Sequence, residues 1–371
     1  LQGEKETAAG KVTALFHFEG MNQIQIEEAR AGDIVGVSGL PEILIGETLV
    51  DNPERPSLAF KPIDPPTIKM AFAVNDGPLA GQDGKKVTAR QIWDRLEREG
   101  RANVSLQVAQ TDLSTVFHVT GRGSMQIAIL VEQMRREGYE VLVSRPEVLK
   151  HQDEKGQWLE PIEKVFLEVP EDSVGDVIEA LAKRKGTVTD MAPSGDRMTI
   201  QAIAPTRGLI GFEVELLNLT RGEGLMSHLF HEYRPDAGEI PGRRNGVLVS
   251  MENGTVTPFA LDILQNRGKM MVVPGDKIYK GMIAGENLRD NDLPVNAVRS
   301  KHLNNIRSSG DGKGIMLKAP LILSLERALE YIAPDEYVEA TPSTLRLRKK
   351  ILDEHARKRA EKAIATQTAT P

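Results

Sequence analysis

The sequence predicts an α+β protein, with two consecutive βαββαβ units between β-rich segments and a basic helix at the end. Three observations carry this. Strand-period and helix-period runs alternate from residue 67 to 145, the same order returns from residue 162, and short strands with Gly and Pro turns take over after residue 245. With 371 residues, 40 % of them hydrophobic and 27 % charged, the chain can bury several cores. Aromatics are only 4 %, so Leu, Ile, Val and Met must build those cores.

Residues 1–64 hold short β-rich runs, KVTALFHF and DIVGVSGL, separated by acidic and Gly-containing turns. The Pro-rich NPERPSLAFKPIDPP ends that segment, because Pro cannot donate to a strand ladder and stiffens linkers. Over 65–150, TIKMAFAV is a strand and VTARQIWDRLEREG a helix, with Ile92 and Leu96 one turn apart and Gly100 as a stop. NVSLQVAQ and STVFHVTG form a hairpin, SMQIAILVEQMRREG a helix with Ile127, Val131 and Met134 on one stripe, and YEVLVSRP the closing strand.

Over 158–238 the order repeats. IEKVFLEVP is a strand, DSVGDVIEALAKRKG a helix with Val174, Ile178 and Leu181 on its apolar face, GTVTDMA and DRMTIQAIAP are strands, TRGLIGFEVELLNLT is helical, and RGEGLMSHLFHEYRP is the last strand. Two such units in series point to two ferredoxin-like domains. Residues 239–371 read as a separate β-rich domain. GVLVSME, TVTPFALDI, KMMVV and KIYKGMIAGEN are short strands, SLERALEYI is a helix, and EYVEAT with TLRLRKK is a strand pair before a basic tail. Alternation in TLRLRKK sets Leu345 and Leu347 on one face, Arg346 and Arg348 on the other.

Several chemistries fail on residue type. A P-loop needs a hydroxyl after its Gly-Lys, and GKV, GKK, GKM and GKG lack it. GRGSMQ has Gln126 where a dinucleotide turn needs a third small residue, and reads as a tight strand-to-helix turn. His228 and His231 are three apart on a predicted strand, so they face opposite sides and cannot share a metal. There is no Cys, and no Ser sits in a nucleophile-elbow string. Glu213 and Glu215 read as the solvated face of a helix. No catalytic, cofactor or metal site is expected in this sequence.

The net charge of −6 argues against a uniformly basic surface, yet acid collects early and base late, in Arg346, Arg348, Lys349, Lys350, Arg357, Lys358, Arg359 and Lys362. A chain so divided can present a basic face. Residues 296–314, NAVRSKHLNNIRSSGDGKG, follow neither a helical nor a strand period. They combine Arg299, Lys301, Asn304, Asn305, Arg307 and Lys313 with serines and a histidine, donors that suit phosphate, sugar and base edges. Composition leaves an RNA-contacting segment and a solvated loop both open. GPLAGQDGKKV (77–87) reads as another mobile basic loop.

The start, LQGEKETAAG, has neither an apolar signal core nor an initiator Met, which predicts a piece of a longer chain. No apolar run approaches membrane-spanning length, and the lack of Cys fits a cytoplasmic protein.

Several longer strings together resemble translational GTPases. FEGMNQIQIEEARAGDIVGVSGL with IGETL resembles the second half of the β-barrel that follows their G domain, so residues 1–64 are expected to form a partial barrel. VTGRGSMQIAILVEQMRREGYEVLVSRP is similar to the third domain of elongation factor G, and PTRGLIGFEVELLNLTRGEGLMSHLFHEY to its last. NGVLVS, NRGKM, NDLPVNAVRSKHLNNIRSSG and ATPSTLRLRKK resemble the C-terminal domain peculiar to the BipA/TypA family.

That resemblance implies a ribosome-associated GTPase, linked to stress and to large-subunit assembly. It implies the large subunit, rRNA and A-site tRNA as partners, with no membrane or DNA. GTP and Mg²⁺ would belong to a G domain before Leu1, leaving this piece noncatalytic. It also carries tRNA or rRNA contact onto Lys301, Asn304, Asn305 and Arg307; Asn304 stands where some relatives have Thr. The competing reading is a ferredoxin-like ligand-sensing or protein-interaction module without RNA affinity.

Overall fold

In the computed structural model, which describes residues 9–40, 43, 45–52, 54–59, 66–240, 242–243, 245–300 and 315–368, the chain is α+β. It divides into two units, Leu1–Asp64 with Glu97–Ser105, and Pro65–Leu96 with Leu106–Pro371. The first unit holds one antiparallel sheet of β1 (Ala14–Glu19), β2 (Asn22–Ile26) and β3 (Val35–Ser38), in the order β2-β1-β3. Register puts Leu15, Ile24, Ile26, Val35 and Val37 on one face, and Ile24 and Val37 remain exposed. No closed barrel is present among the described residues.

The second unit begins with β4 (Ile68–Val74), the first part of α1 (Ala89–Ala102), β5 (Gln107–Gln110), β6 (Val116–Gly121), α2 (Ser124–Arg136) and β7 (Val141–Ser144). A reciprocal capping box starts α1: the Gln91 side chain accepts from the Thr88 N–H at 3.2 Å, and Thr88 Oγ1 accepts from the Gln91 N–H at 3.4 Å. Ile92, Leu96, Ile127, Val131 and Met134 are fully buried, the two stripes the periodicity predicts. GRGSMQ is the tight turn from β6 into α2, where Gln126 Oε1 accepts from the Arg122 N–H.

After short strands β8 (Glu147–Val148) and β9 (His151–Gln152) the pattern returns as β10 (Trp158–Pro170), α3 (Val174–Lys183), β11 (Thr187–Ser194), β12 (Arg197–Pro205), α4 (Thr206–Leu209), α5 (Phe212–Leu219) and β13 (Leu225–Pro235). Its sheet runs β11-β12-β10-β13. Val165, Leu167 and Val169 alternate toward Val177 and Leu181 of α3 and Phe212 and Leu216 of α5. The buried face of α3 centres on Val177, Ala180 and Leu181, while Val174 and Ile178 sit at its margin. The predicted single helix over TRGLIGFEVELLNLT is broken, because Gly211 takes φ 73°, a left-handed conformation that ends α4 and caps α5.

The rest comprises β14 (Val247–Ser250), β15 (Gly254–Thr255), α6 (Pro258–Leu264), β16 (Gly268–Met270), β17 (Lys277–Ile278), β18 (Ile283–Asn287), β19 (Leu293–Val295), α7 (Leu325–Tyr331), β20 (Glu336–Ala340), β21 (Leu345–Lys349) and the basic terminal helix α8 (Glu354–Thr368). TVTPFALDI is a helix, not the predicted strand. Thr257 Oγ1 accepts from the Ala260 N–H and Pro258 occupies the first turn, so cap chemistry prevails over β propensity.

The hairpin β20–β21 joins the sheet of the first βαββαβ unit. Tyr337–Ala340 pair with Val141–Ser144, which extends the first βαββαβ sheet to β21-β20-β7-β4-β6-β5. The core there accordingly unites Ile68, Leu96 and Val143 with Val249, Leu329 and Val338.

Candidate nucleic-acid interface

Of the six residues expected to touch RNA, Arg299 is described; Lys301, Asn304, Asn305, Arg307 and Lys313 lie outside the described residues. Helix α6 holds the backbone on both sides of them. At its start the Thr257 N–H donates to the Ala297 carbonyl at 3.1 Å, and Thr257 Oγ1 donates to the Arg299 carbonyl at 2.6 Å. At its end Gln265 Nε2 donates to the Met316 carbonyl at 3.1 Å, and Gln265 Oε1 accepts from the Lys318 N–H at 3.0 Å. Both anchors are the capping residues of one seven-residue helix, which sets them roughly 12 Å apart.

Ala297 and Val295 are buried in the local core, Val298 and Leu317 pack at its edge, and Met316 is 87 % exposed. The Arg299 side chain is exposed and has no ion pair among the described residues.

The late basic residues do not form the face their sequence suggests. Arg346 donates to Glu339 at 3.0 Å, Arg348 to Asp76 at 2.6 Å, and Lys349 Nζ lies 2.5–2.9 Å from Asp292, Asp335 and Glu336. Arg348 and Lys349 are almost wholly buried. The far edge of β21 is covered, since the Lys349 N–H donates to the Gly281 carbonyl and Met282 bridges Arg348. Both faces of the strand meet acids, Arg346 and Arg348 on one and Lys349 on the other.

Asp292, Asp335 and Glu336 converge as metal ligands would, and the cation among them is the Lys349 ammonium. Burial pushes that ammonium down, but Glu336 and its two neighbours outweigh burial and raise it above the ordinary lysine range. Burial likewise pushes the Glu336 carboxyl up, while the bidentate Arg243 guanidinium and Lys349 bring it below the usual carboxylate range. In α8, Arg357 donates to the carbonyls of Ile351 and Leu352 and Lys358 pairs with Glu354, whereas Arg359 is exposed.

Residues 77–87 are anchored, not mobile. The fully buried Glu140 carboxylate accepts from the backbone N–H groups of Gly81, Asp83 and Gly84 at 2.6–3.1 Å, and Asp83 accepts from Thr341 and Ser343. Ser343 and Thr341 hold the Asp83 carboxyl below its ordinary range. His228 pairs with Glu163, whose hydrogen bond raises the imidazole above its ordinary value against the effect of burial. That pair borders a cavity of about 400 Å³, which Ser124, Thr206 and Ser324 also line.

A further group of cations is announced by no local run of the sequence. Arg145, Arg184, Arg207 and Arg243 come from distant positions and line one cavity.

Residues 245–354 match the TypA/BipA C-terminal domain, and residues 157–244 match the elongation factor G C-terminus. Curated relatives extend the likeness to nearly the whole chain. It is 45 % identical to a Bacillus subtilis protein over 96 % of this chain and 58 % of that one. It is 47 % identical to a Synechocystis protein over 92 % and 57 %, and 42 % identical to an Escherichia coli K12 protein over 98 % and 60 %. The chain belongs to the BipA (TypA) family. All three relatives are named large ribosomal subunit assembly factor BipA, and this BipA-family chain spans under two thirds of the length of each. A crystal structure from Thermus thermophilus aligns with 60 % of the chain at 16 % identity and a TM-score of 0.35, too distant to carry an argument. No described helix is long and apolar enough to cross a membrane.

Proposed function

We propose that this chain is the ribosome-engaging part of a BipA-type translational factor acting in large-subunit assembly. The observation that carries the reading is 42–47 % identity, along almost the whole chain, to relatives named for that role. In this reading the two βαββαβ units are ferredoxin-like domains that dock on rRNA and neighbouring proteins, and residues 1–64 are part of a barrel. Segment 296–314 approaches the A site, where Arg299, Lys301, Asn304, Asn305, Arg307 and Lys313 touch tRNA or rRNA. The exposed Arg299 and the double anchoring on α6 support that role for the segment.

In this reading GTP, Mg²⁺ and hydrolysis belong to residues outside this sequence, which has no P-loop string. The mechanism here is positional, through phosphate neutralisation and its release of counterions.

Co-sedimentation with large subunits across a salt series tests this. Binding is expected to weaken as salt rises. The R299A/K301A/R307A variant is expected to bind less and to lose roughly 0.7–0.9 of slope in log K against log salt for each phosphate contact removed. Binding unchanged by the triple substitution would remove the segment from the interface.

A further inference from the structure

A cavity of about 630 Å³ lies where the second βαββαβ unit meets α7 and the β16–β18 strands. Six cations line it: Arg145, Arg184, Arg207, Arg243, Lys269 and Arg327, against two carboxylates, Glu286 and Glu330.

Three of these cations are already committed. Arg184 binds Glu215 and the carbonyls of Gly208 and Ile210, Arg207 binds Glu160 and Asp236, and Arg243 chelates Glu336 while lying 4.7 Å over the Tyr331 ring. None of their acidic partners lines the cavity. These three are therefore held rigidly by acids outside it, and their charge still reaches inside.

The other three, Arg145, Lys269 and Arg327, have no side-chain hydrogen bond or ion pair among the described residues. Lys269 and Arg327 are exposed. Arg145 is partly buried, and burial together with the Arg243 and Arg184 charges depresses its guanidinium below the ordinary arginine range, against a smaller opposing pull from Glu336, which is itself chelated by Arg243. A guanidinium beside two others, without an acid of its own, costs stability instead of supplying it.

The acids offer little compensation. Burial raises the Glu330 carboxyl, which disfavours its charge, and Glu286 is engaged by the Asn245 amide at 3.0 Å. A smaller cavity of about 240 Å³ shares Arg145, Arg207 and Ile210 and adds Lys350, Lys150 paired with Asp236, and one acid, Glu147.

We propose that this cleft binds a small molecule carrying two or more phosphoryl groups, with Arg145 as the residue whose missing counter-charge the ligand supplies. Planar guanidinium forks match phosphoryl oxygens, and multiple forks around one space favour several oxyanions over one carboxylate. The volume falls within the range of small-ligand sites. Leu321, Leu323 and Tyr331 give the remainder of the ligand an apolar wall. A nucleic-acid backbone fits less well, because the partly buried Arg145 is set back from the surface that a strand would follow.

The test is calorimetric titration of the full chain with inorganic phosphate, pyrophosphate and tripolyphosphate, beside thermal melts. Affinity is expected to rise along that series. Arg145→Gln is expected to weaken pyrophosphate binding about tenfold or more, while the melting temperature of the ligand-free protein stays level or rises. Arg327→Gln, on an exposed position, is expected to weaken binding without disturbing the fold, and Arg359→Gln in α8 to leave it unchanged. Pyrophosphate affinity insensitive to both Arg145→Gln and Arg327→Gln would overturn the proposal. So would a twelve-nucleotide single-stranded RNA that displaces pyrophosphate and loses affinity in Arg145→Gln, since the site would then take RNA phosphates. No ribosome enters this experiment, so its failure is distinct from failure of the ribosome-binding reading.

Discussion

The two βαββαβ units share a strand order and differ at their edges. In the first, the fourth strand, β7, is buried along its whole length and receives β20 from almost two hundred residues downstream. In the second, the corresponding β13 is exposed at most positions and pairs only with β10 among the described residues. One unit shares its core with the C-terminal segment, from Ile68 to Leu347, whereas the other closes its core locally, from Val165 to Met226. The same local pattern therefore builds a framework in one place and a self-contained module in the other.

Substitutions can break this contrast. The largest effect is expected at Glu336, whose carboxylate partners two buried cations, Arg243 and Lys349. Glu336→Gln leaves Arg243 without a counter-charge and takes one of three from Lys349, which keeps Asp292 and Asp335, and should cost about 3–5 kcal/mol in chemical denaturation. Next, Val338→Ala and Leu181→Ala each empty a fully buried site. Costs are about 1–3 kcal/mol for Val, which loses two carbons where Ile→Val loses one, and about 2–5 kcal/mol for Leu. Hydrogen exchange should separate them: Val338→Ala loosens β7 together with β20 and β21, and Leu181→Ala loosens only β10–β13 with α3 and α5.

Solution pH sharpens the same contrast. Glu336 has a folded-state value below the 4.5 of the free carboxyl. Its stabilisation is therefore full above that value and lost as pH falls through the lower folded one. His228 has a folded value above 6.5, so its contribution is full below 6.5 and disappears as pH rises through the folded value. Acid melts should therefore weaken the framework, and mildly alkaline melts the module. The second effect is the smallest, about 1 kcal/mol or less, because His228 is 41 % exposed and solvent screens the pair. His228→Gln should abolish it.

Much of this architecture was legible in the chain. Ile92 with Leu96, and Ile127 with Val131 and Met134, announce their helices because a local period repeats often enough to be read. Period does not name a partner. Nothing in EYVEAT tells that Tyr337 will pair with Ser144, nor that the Arg face of TLRLRKK will meet Asp76 and Glu339. TVTPFALDI misled because Val, Thr and Phe favour strands, although its Thr-Pro start is also a helix signal. The donors of 296–314 stand out as a polar run. Arg145, Arg184, Arg207 and Arg243 do not, because tertiary folding alone assembles them.

Helix α6 carries one more consequence. The spacing of the two attachment points around residues 299–316 is written into Thr257 and Gln265, not into the residues between them. Substitutions in that interval can therefore change its chemistry without touching the residues that hold its ends, and a change at either capping residue would alter an attachment point without altering a single side chain between the two.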